Sequence, residues 1–370
     1  MKWETVKLGE VAKIVSGSTP KSGKPEYWGG AISWATPTDL SGLETKELAA
    51  TARTITEAGF TSCSANMLPA RSVLFSSRAP IGLVAINLQP VCTNQGFKSF
   101  VPQFERLSSD FLYWWLKTNR HALEHLGRGA TFKEVSKGII EAVEIPLPPL
   151  PEQQRIAAIL DAADALRTKR REALAQLDAL LQSTFLKMFG DPVTNPIGLP
   201  KKTLKSTFKF STGKLDSNAA IEGGKYPFFT CARETFAIGD YAFDGEALLL
   251  AGNNANADYS VKHYKGKFNA YQRTYVITVD ESILTYEYSR IALEYMLGDL
   301  KRYSKGTNTK YLTMVILNKM PILVPPLTLQ HRFATIVKSI EAQKTRQRAH
   351  LAELDTLFAS LQQRAFNGEL

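Results

Sequence analysis

Cysteine is scarce in this 370-residue chain, and its three copies, Cys63, Cys92 and Cys231, stand far apart with no CxxC pair among them. That excludes a disulfide framework and a thiolate zinc site, and it fits a reducing compartment. Long apolar runs are missing too. No stretch of about 18 apolar residues occurs, and the segment Met1 to Lys7 lacks the apolar core of a signal peptide. The expectation is a cytoplasmic protein with no membrane partner. Acidic residues are the third shortage, 35 against 45 basic ones, giving a net charge of +10 and a pI near 9.3. Such a balance suits a polyanion such as nucleic acid, or equally a soluble basic surface with no partner. Catalytic loops are absent as well. An Asn/Asp-Pro-Pro-Tyr/Phe loop, which would hold a flipped base, has no better match than Asn195-Pro196-Ile197-Gly198. A Walker A loop fails because Leu215 follows Gly213-Lys214 and Phe208 stands where the first glycine belongs.

What is present is length, apolar content and repetition. The hydrophobic residues, 44% of the chain, suffice for two cores. Residues 148–189 match residues 325–366 without a gap at an offset of 177, with 17 of 42 positions identical. Pro148-Pro149-Leu150 recurs as Pro325-Pro326-Leu327, Gln153 as Gln330, Arg155 as Arg332, and Leu177-Asp178 as Leu354-Asp355. Upstream the same offset aligns Gly129 and Lys133 with Gly306 and Lys310. Near the start of each half only Leu8, Lys13 and Gly17 pair with Leu204, Lys209 and Gly213, at an offset of 196. The chain therefore reads as two copies of one plan, each with a divergent front and a similar tail.

Each tail runs for about 38 residues free of Gly and Pro, enough for a helix about 57 Å long. Steps of three and four trace a seam through Leu160, Ala163, Arg167, Arg170, Leu174 and Leu177, and another through Val337, Ile340, Lys344, Gln347, Leu351 and Leu354. Both seams are polar at the same two central steps. Pairing in either direction aligns those centres; connection geometry favours antiparallel, with a folded front at the entry of each helix. The fronts carry short β-branched and aromatic runs, Ser72–Phe75 and Tyr275–Val279, then amphipathic helices near 111–126 and 285–297. Three prolines within Asp191–Pro200 end the first tail.

The residues that carry a resemblance are Leu8-Gly9-Glu10-Val11, Phe111 to Leu116, and Pro148-Pro149-Leu150 with Gln153 and Arg155-Ile156 opening a helix that ends Phe189-Gly190-Asp191-Pro192. On these, and across essentially its whole length, the sequence resembles the specificity subunits of type I restriction-modification systems. The second tail departs from the pattern, with Leu329 and His331 where the first has Glu152 and Gln154, and it ends Phe366-Asn367-Gly368. The resemblance implies a mixed α/β fold with an internal pseudo-twofold repeat. Two target-recognition domains, 1–147 and 192–324, would be separated by two antiparallel coiled-coil regions, 148–191 and 325–370. Each domain would read one half of a split, asymmetric double-stranded DNA site. The subunit would be non-catalytic and would bind no cofactor itself. Two methyltransferase subunits would supply S-adenosylmethionine, docking near Gln153, Arg155, Ile156, Gln330, Arg332 and Phe333. Two motor-nuclease subunits would bring ATP and magnesium.

Clusters of basic and amide residues among glycines are the DNA-binding candidates, since Lys and Arg hold phosphates while Arg, Asn and Gln read base edges. In the first front these are Arg78, Asn94, Gln95, Lys98, Arg128 and Lys133. In the second they are Asn253, Asn254, Tyr271, Gln272, Arg273, Lys305, Asn308 and Lys310. The recurrence of Lys133 as Lys310 favours phosphate positioning, with a plain loop-to-helix turn as the other reading. His121, Glu124 and His125 match HxxEH, which on a helix can hold zinc. The corresponding stretch of the second copy, Gly298 to Arg302, lacks both histidines, so no metal is expected.

Overall fold

The computed structural model describes residues 3–128, 133–254, 258–306 and 309–370. The chain divides into two compact units, Met1–Arg170 with His350–Leu370, and Arg171–Ala349. The two long helices, Leu150–Phe189 and Leu327–Asn367, each contribute one half to each unit. Both begin directly after a Pro-Pro pair. Pro151 falls in the first turn, where its missing N–H would have had no partner in any case. The first helix stops where Gly190 adopts a φ of 71°, the left-handed geometry of a helix C-terminus.

In the first unit, strand Thr5–Lys7 pairs antiparallel with Glu144–Pro146 and closes the front on itself. Between them lies a five-stranded sheet in the order Ala12–Ser16, Lys98–Pro102, Val73–Phe75, Val84–Asn87, Glu47–Leu48. A three-stranded sheet, Arg53–Ile55, Trp28–Ala35 and Cys92–Thr93, lies beside it. Helix Ser109–Thr118 turns six consecutive residues, Phe111 to Leu116, into the core. The expected helix ends at Asn119, and a separate short helix, Arg120–His125, follows.

The second unit repeats the closure, with Lys201–Thr203 antiparallel to Pro321–Leu323. Its main sheet has six strands, ordered Phe208–Thr212, Thr274–Val279, Phe243–Ala251, Val261–Ala270, Tyr226–Phe229, Phe236–Ile238. Helix Tyr286–Tyr303 takes the place of Ser109–Thr118. The pairing at offset 196 holds in three dimensions. Leu8 and Leu204 are both fully buried at the first position of a short helix, and the strands after them carry Lys13 and Lys209. Past those strands, a Cβ on Gly17 would overlap the Asn94 carbonyl oxygen, and one on Gly213 that of Ala270.

The long helices run antiparallel within each unit. In the first, moving from Arg155 to Arg167 moves the partner from the Leu370 carbonyl back to Asp355. In the second, Phe185 packs on Phe333 while Lys344 pairs with Asp178. The polar seam centres repeat their chemistry. Arg167 bridges Asp164 and Asp355 at 2.7 and 2.6 Å, and Lys344 bridges Glu341 and Asp178 at 3.2 and 2.7 Å, all three positions shifted by 177. The ring packing repeats as well, since Phe111 meets Phe366 at 5.4 Å and Tyr288 meets Phe189 at 4.8 Å. The fold is thus mixed α/β with two long helices that run antiparallel within each unit and an internal repeat.

Candidate nucleic-acid interface

In each unit two loops at the ends of sheet strands and a third that follows a helix lie side by side, and backbone hydrogen bonds fix them in one arrangement. In the first unit Arg128 and Glu134 exchange both N–H···O bonds, at 3.0 and 2.9 Å. The next residue, Val135, donates to the Ser77 carbonyl at 2.9 Å; Ser77 donates to Gly96 at 2.7 Å; and Phe97 donates to Asn94 at 3.2 Å, closing a turn. The second unit uses the same bonds. Lys305 and Tyr311 exchange at 3.0 and 2.9 Å, Leu312 donates to Gly252 at 2.8 Å, Gly252 to Arg273 at 2.9 Å, and Thr274 to Tyr271 at 2.8 Å. Two loops correspond at the offset of 177. The third, Ser76–Arg78 against Ala251–Asn253, corresponds at 175.

On this shared frame the side chains differ. Arg78 stands where the second unit has Asn253, Asn94 where it has Tyr271, and Glu134 where it has Tyr311, while Gln95 and Gln272 agree. Arg78 directs its Nε to Glu134 Oε2 at 2.8 Å and is 45% exposed, leaving the far edge of its guanidinium toward solvent. Burial pushes the Glu134 carboxyl up, but hydrogen bonds from Lys98 and Arg78 outweigh this and hold it below its ordinary value. Gln95 accepts from the Thr19 hydroxyl, and Asn94 uses its own Oδ1 to cap the turn at Gly96 N, 2.9 Å away. Arg128 and Lys133 are exposed beside them.

Asn253 and Asn254 form a short ladder with Tyr311 and Lys310, flanked by exposed Lys305. Gln272 and Arg273 are exposed and Tyr271 half-buried at the neighbouring turn. Gly306, at a φ of 100°, packs so close to the Thr309 carbonyl that only glycine fits, which supplies a folding reason for its recurrence. Asn308 and Gly129 lie outside the described residues. Within each unit, taken by itself, the structure therefore brings together nearly every described candidate chosen there for charge and amide content.

Lys98 is a correction. It is 8% exposed, with its ammonium spent on Glu134 at 3.1 Å, so it braces the frame from beneath and presents nothing to a ligand. Four candidates for partner contact are corrected likewise. Gln153, Ile156, Gln330 and Phe333 have no exposed surface. Gln153 accepts from Ser108 N and donates to the carbonyls of Arg106 and Pro148, each at 2.8 Å. Gln330 repeats the set on Thr285 N, Ile283 and Pro325 at 2.8 to 3.0 Å. These glutamines lock the long helix to the start of the domain helix. Arg155, paired with Glu152, and Arg332 remain exposed.

The sequence reading missed Glu134, although the offset that joins Arg128 to Lys305 joins Glu134 to Tyr311. It also missed Arg233, which holds Asp258 through two nitrogens beside Asn254. His121, Glu124 and His125 lie exposed on the six-residue helix Arg120–His125. Among the described residues no group of three His, Cys, Asp or Glu side chains is arranged to hold a metal ion. Among them, too, no helix is long and apolar enough to cross a membrane.

Known proteins share this plan. The family described as type I restriction modification DNA specificity domain matches residues 1–176 and again 196–355. The chain is 28% identical, over 91% of its length and 86% of the relative's, to the type I restriction enzyme MjaIX specificity subunit of Methanocaldococcus jannaschii. Over 47% of its length and 39% of the relative's it is 35% identical to the EcoDI specificity subunit of Escherichia coli. Its fold matches the crystal structure of the type I restriction-modification S subunit from M. genitalium at a TM-score of 0.65 and 16% identity, covering 99% and 96% of the two chains. Domain arrangement, duplicated loops and relatives agree: the chain belongs to the type I restriction-modification DNA specificity family, as a specificity subunit and not a catalytic one.

Proposed function

We propose that this subunit reads a bipartite, asymmetric DNA site, one half with each three-loop cluster, and that the paired long helices set the spacer between the halves. The observation that carries this reading is the identity of the two backbone frames set against the divergence of the side chains they display. A binding frame reused for two different sequences has that form, because position is held by backbone while base edges are told apart by side chains. Arg128, Lys133, Lys305 and Lys310 flank the clusters as phosphate contacts.

Methylation and cleavage fall to partners in the cytoplasm. Two methyltransferase subunits, carrying S-adenosylmethionine, dock along the helical regions where Arg155 and Arg332 face outward. Two motor-nuclease subunits using ATP and magnesium join them. This chain takes no cofactor.

The test is domain exchange in the assembled methyltransferase. Replacing residues 1–147 by the same region of a relative with another target changes one half of the methylated motif and leaves the other half intact. Loss of both halves, or retention of both, counts against one-unit, one-half reading. Affinity for the cognate duplex falls steeply with salt as counterions return to the phosphates; salt-insensitive binding contradicts the phosphate roles.

A further inference from the structure

The two frames differ most informatively at a single shared place, the residue after Ser77 in one unit and after Gly252 in the other. There the backbone pairs with the closing residue of the third loop, as Arg78 with Glu134 and as Asn253 with Tyr311. Both side chains end in a planar fork suited to a base edge. Arginine places two parallel N–H groups against O6 and N7 of guanine, whereas asparagine offers one donor and one acceptor that match N7 and N6 of adenine.

The surroundings keep those groups available. Glu134 takes the Nε of Arg78, and among the described residues no hydrogen bond engages the two terminal nitrogens, which the carboxylate behind them orients as a pair. Glu134 is itself anchored from below by Lys98 at 3.1 Å. Among the described residues no hydrogen bond engages the side-chain amide of Asn253, which is half-buried and held by the ladder to Tyr311.

Resting on the DNA-reading function proposed above, we infer that Arg78 and Asn253 are equivalent specificity-determining residues, Arg78 selecting a guanine in one half-site and Asn253 an adenine in the other. Glu134 acts as the positioning residue for Arg78. Gln95 and Gln272, common to both frames, do not distinguish the halves.

Selection of bound duplexes from a randomised DNA library, using the subunit assembled with its methyltransferase partners, tests this. Arg78→Asn moves one position of one half-site from guanine to adenine or lets it relax, with a loss of about tenfold to hundredfold in discrimination there and no change in the other half. Asn253→Asp relaxes one adenine in the other half only. Arg78→Lys, which keeps the charge but loses the fork, weakens the guanine preference while leaving the salt dependence of binding unchanged. A wild-type motif that survives Arg78→Asn unaltered overturns the assignment. A wild-type complex that enriches no two-part motif sinks the DNA-reading function itself. Unfolding temperatures of the variants, equal to wild type, show that the shift comes from contact chemistry; a motif change found only in a destabilised protein counts against it.

Discussion

Gln153 and Gln330 illustrate how a side chain can recur for reasons of folding while looking like a contact residue. Each is buried and spends its whole amide on three backbone groups, one of them the N–H just ahead of a domain helix, which carries no side-chain cap of its own at Ser108. Gln153→Ala orphans a buried donor and two acceptors at about 1–3 kcal/mol for each group left without water, so at least about 2 kcal/mol is lost in urea unfolding. Gln154→Ala, at the exposed neighbour, stays within about 0.5 kcal/mol. Equal effects at the two positions contradict the lock. Glu134 adds a pH signature. Its carboxyl is held below the ordinary glutamate value in the folded state, so its contribution is complete above that ordinary value and is lost as pH falls through the folded value. Glu134→Gln therefore flattens the acid limb of the stability profile below about pH 4.5 and leaves the neutral range unchanged in slope. An unaltered acid limb removes the ion pairs from the frame's stability.

Among elements, the long helices show what patterning resolves and what it leaves open. Seam positions, helix ends and the polar interruption are legible from spacing, because a 3.5-residue repeat and the prolines around it leave few alternatives. Direction is not, since aligned polar centres serve parallel and antiparallel pairing alike; it is decided by pairs such as Arg167 with Asp355, 188 residues apart. The loops divide in the same way. Arg128 and Lys305 lie at the offset that aligns the tails, whereas Ser77 and Gly252 lie at 175, so strand-to-loop geometry had to reveal that pairing. Composition selected Lys98 and Arg78 equally, and burial separates them. At the seam, Lys344 is 7% exposed whereas its partners Asp178 and Glu341 are 57% and 36% exposed. The acids regain water when the lysine is replaced, so Lys344→Met, which keeps the volume, costs less than about 1.5 kcal/mol. Lys344→Glu gathers three carboxylates and costs about 3 kcal/mol or more. Thermal unfolding of the two variants in the reverse order contradicts charge pairing at this position.

For the whole molecule, the consequence of duplication is that one pair of helices serves both readers. Each helix has its first half in one unit and its second half in the other, with the division at Arg170/Arg171 in the first helix and Ala349/His350 in the second. If these helices set the spacer, seven residues inserted at both places lengthen them by about 10.5 Å, which is about three base pairs at 3.4 Å each. A heptad preserves the seam on either side of the insertion, so each unit keeps its own core and its own half-site. Methylome sequencing of cells carrying the extended subunit then shows the two original half-sites separated by about three more base pairs. Inserting the heptad in one helix alone leaves the second without a partner over two turns and shifts Arg167 away from Asp355 or Lys344 away from Asp178, so assembly or methylation is lost. Both original halves at the original spacing, in the doubly extended protein, would show that the DNA distance is set elsewhere.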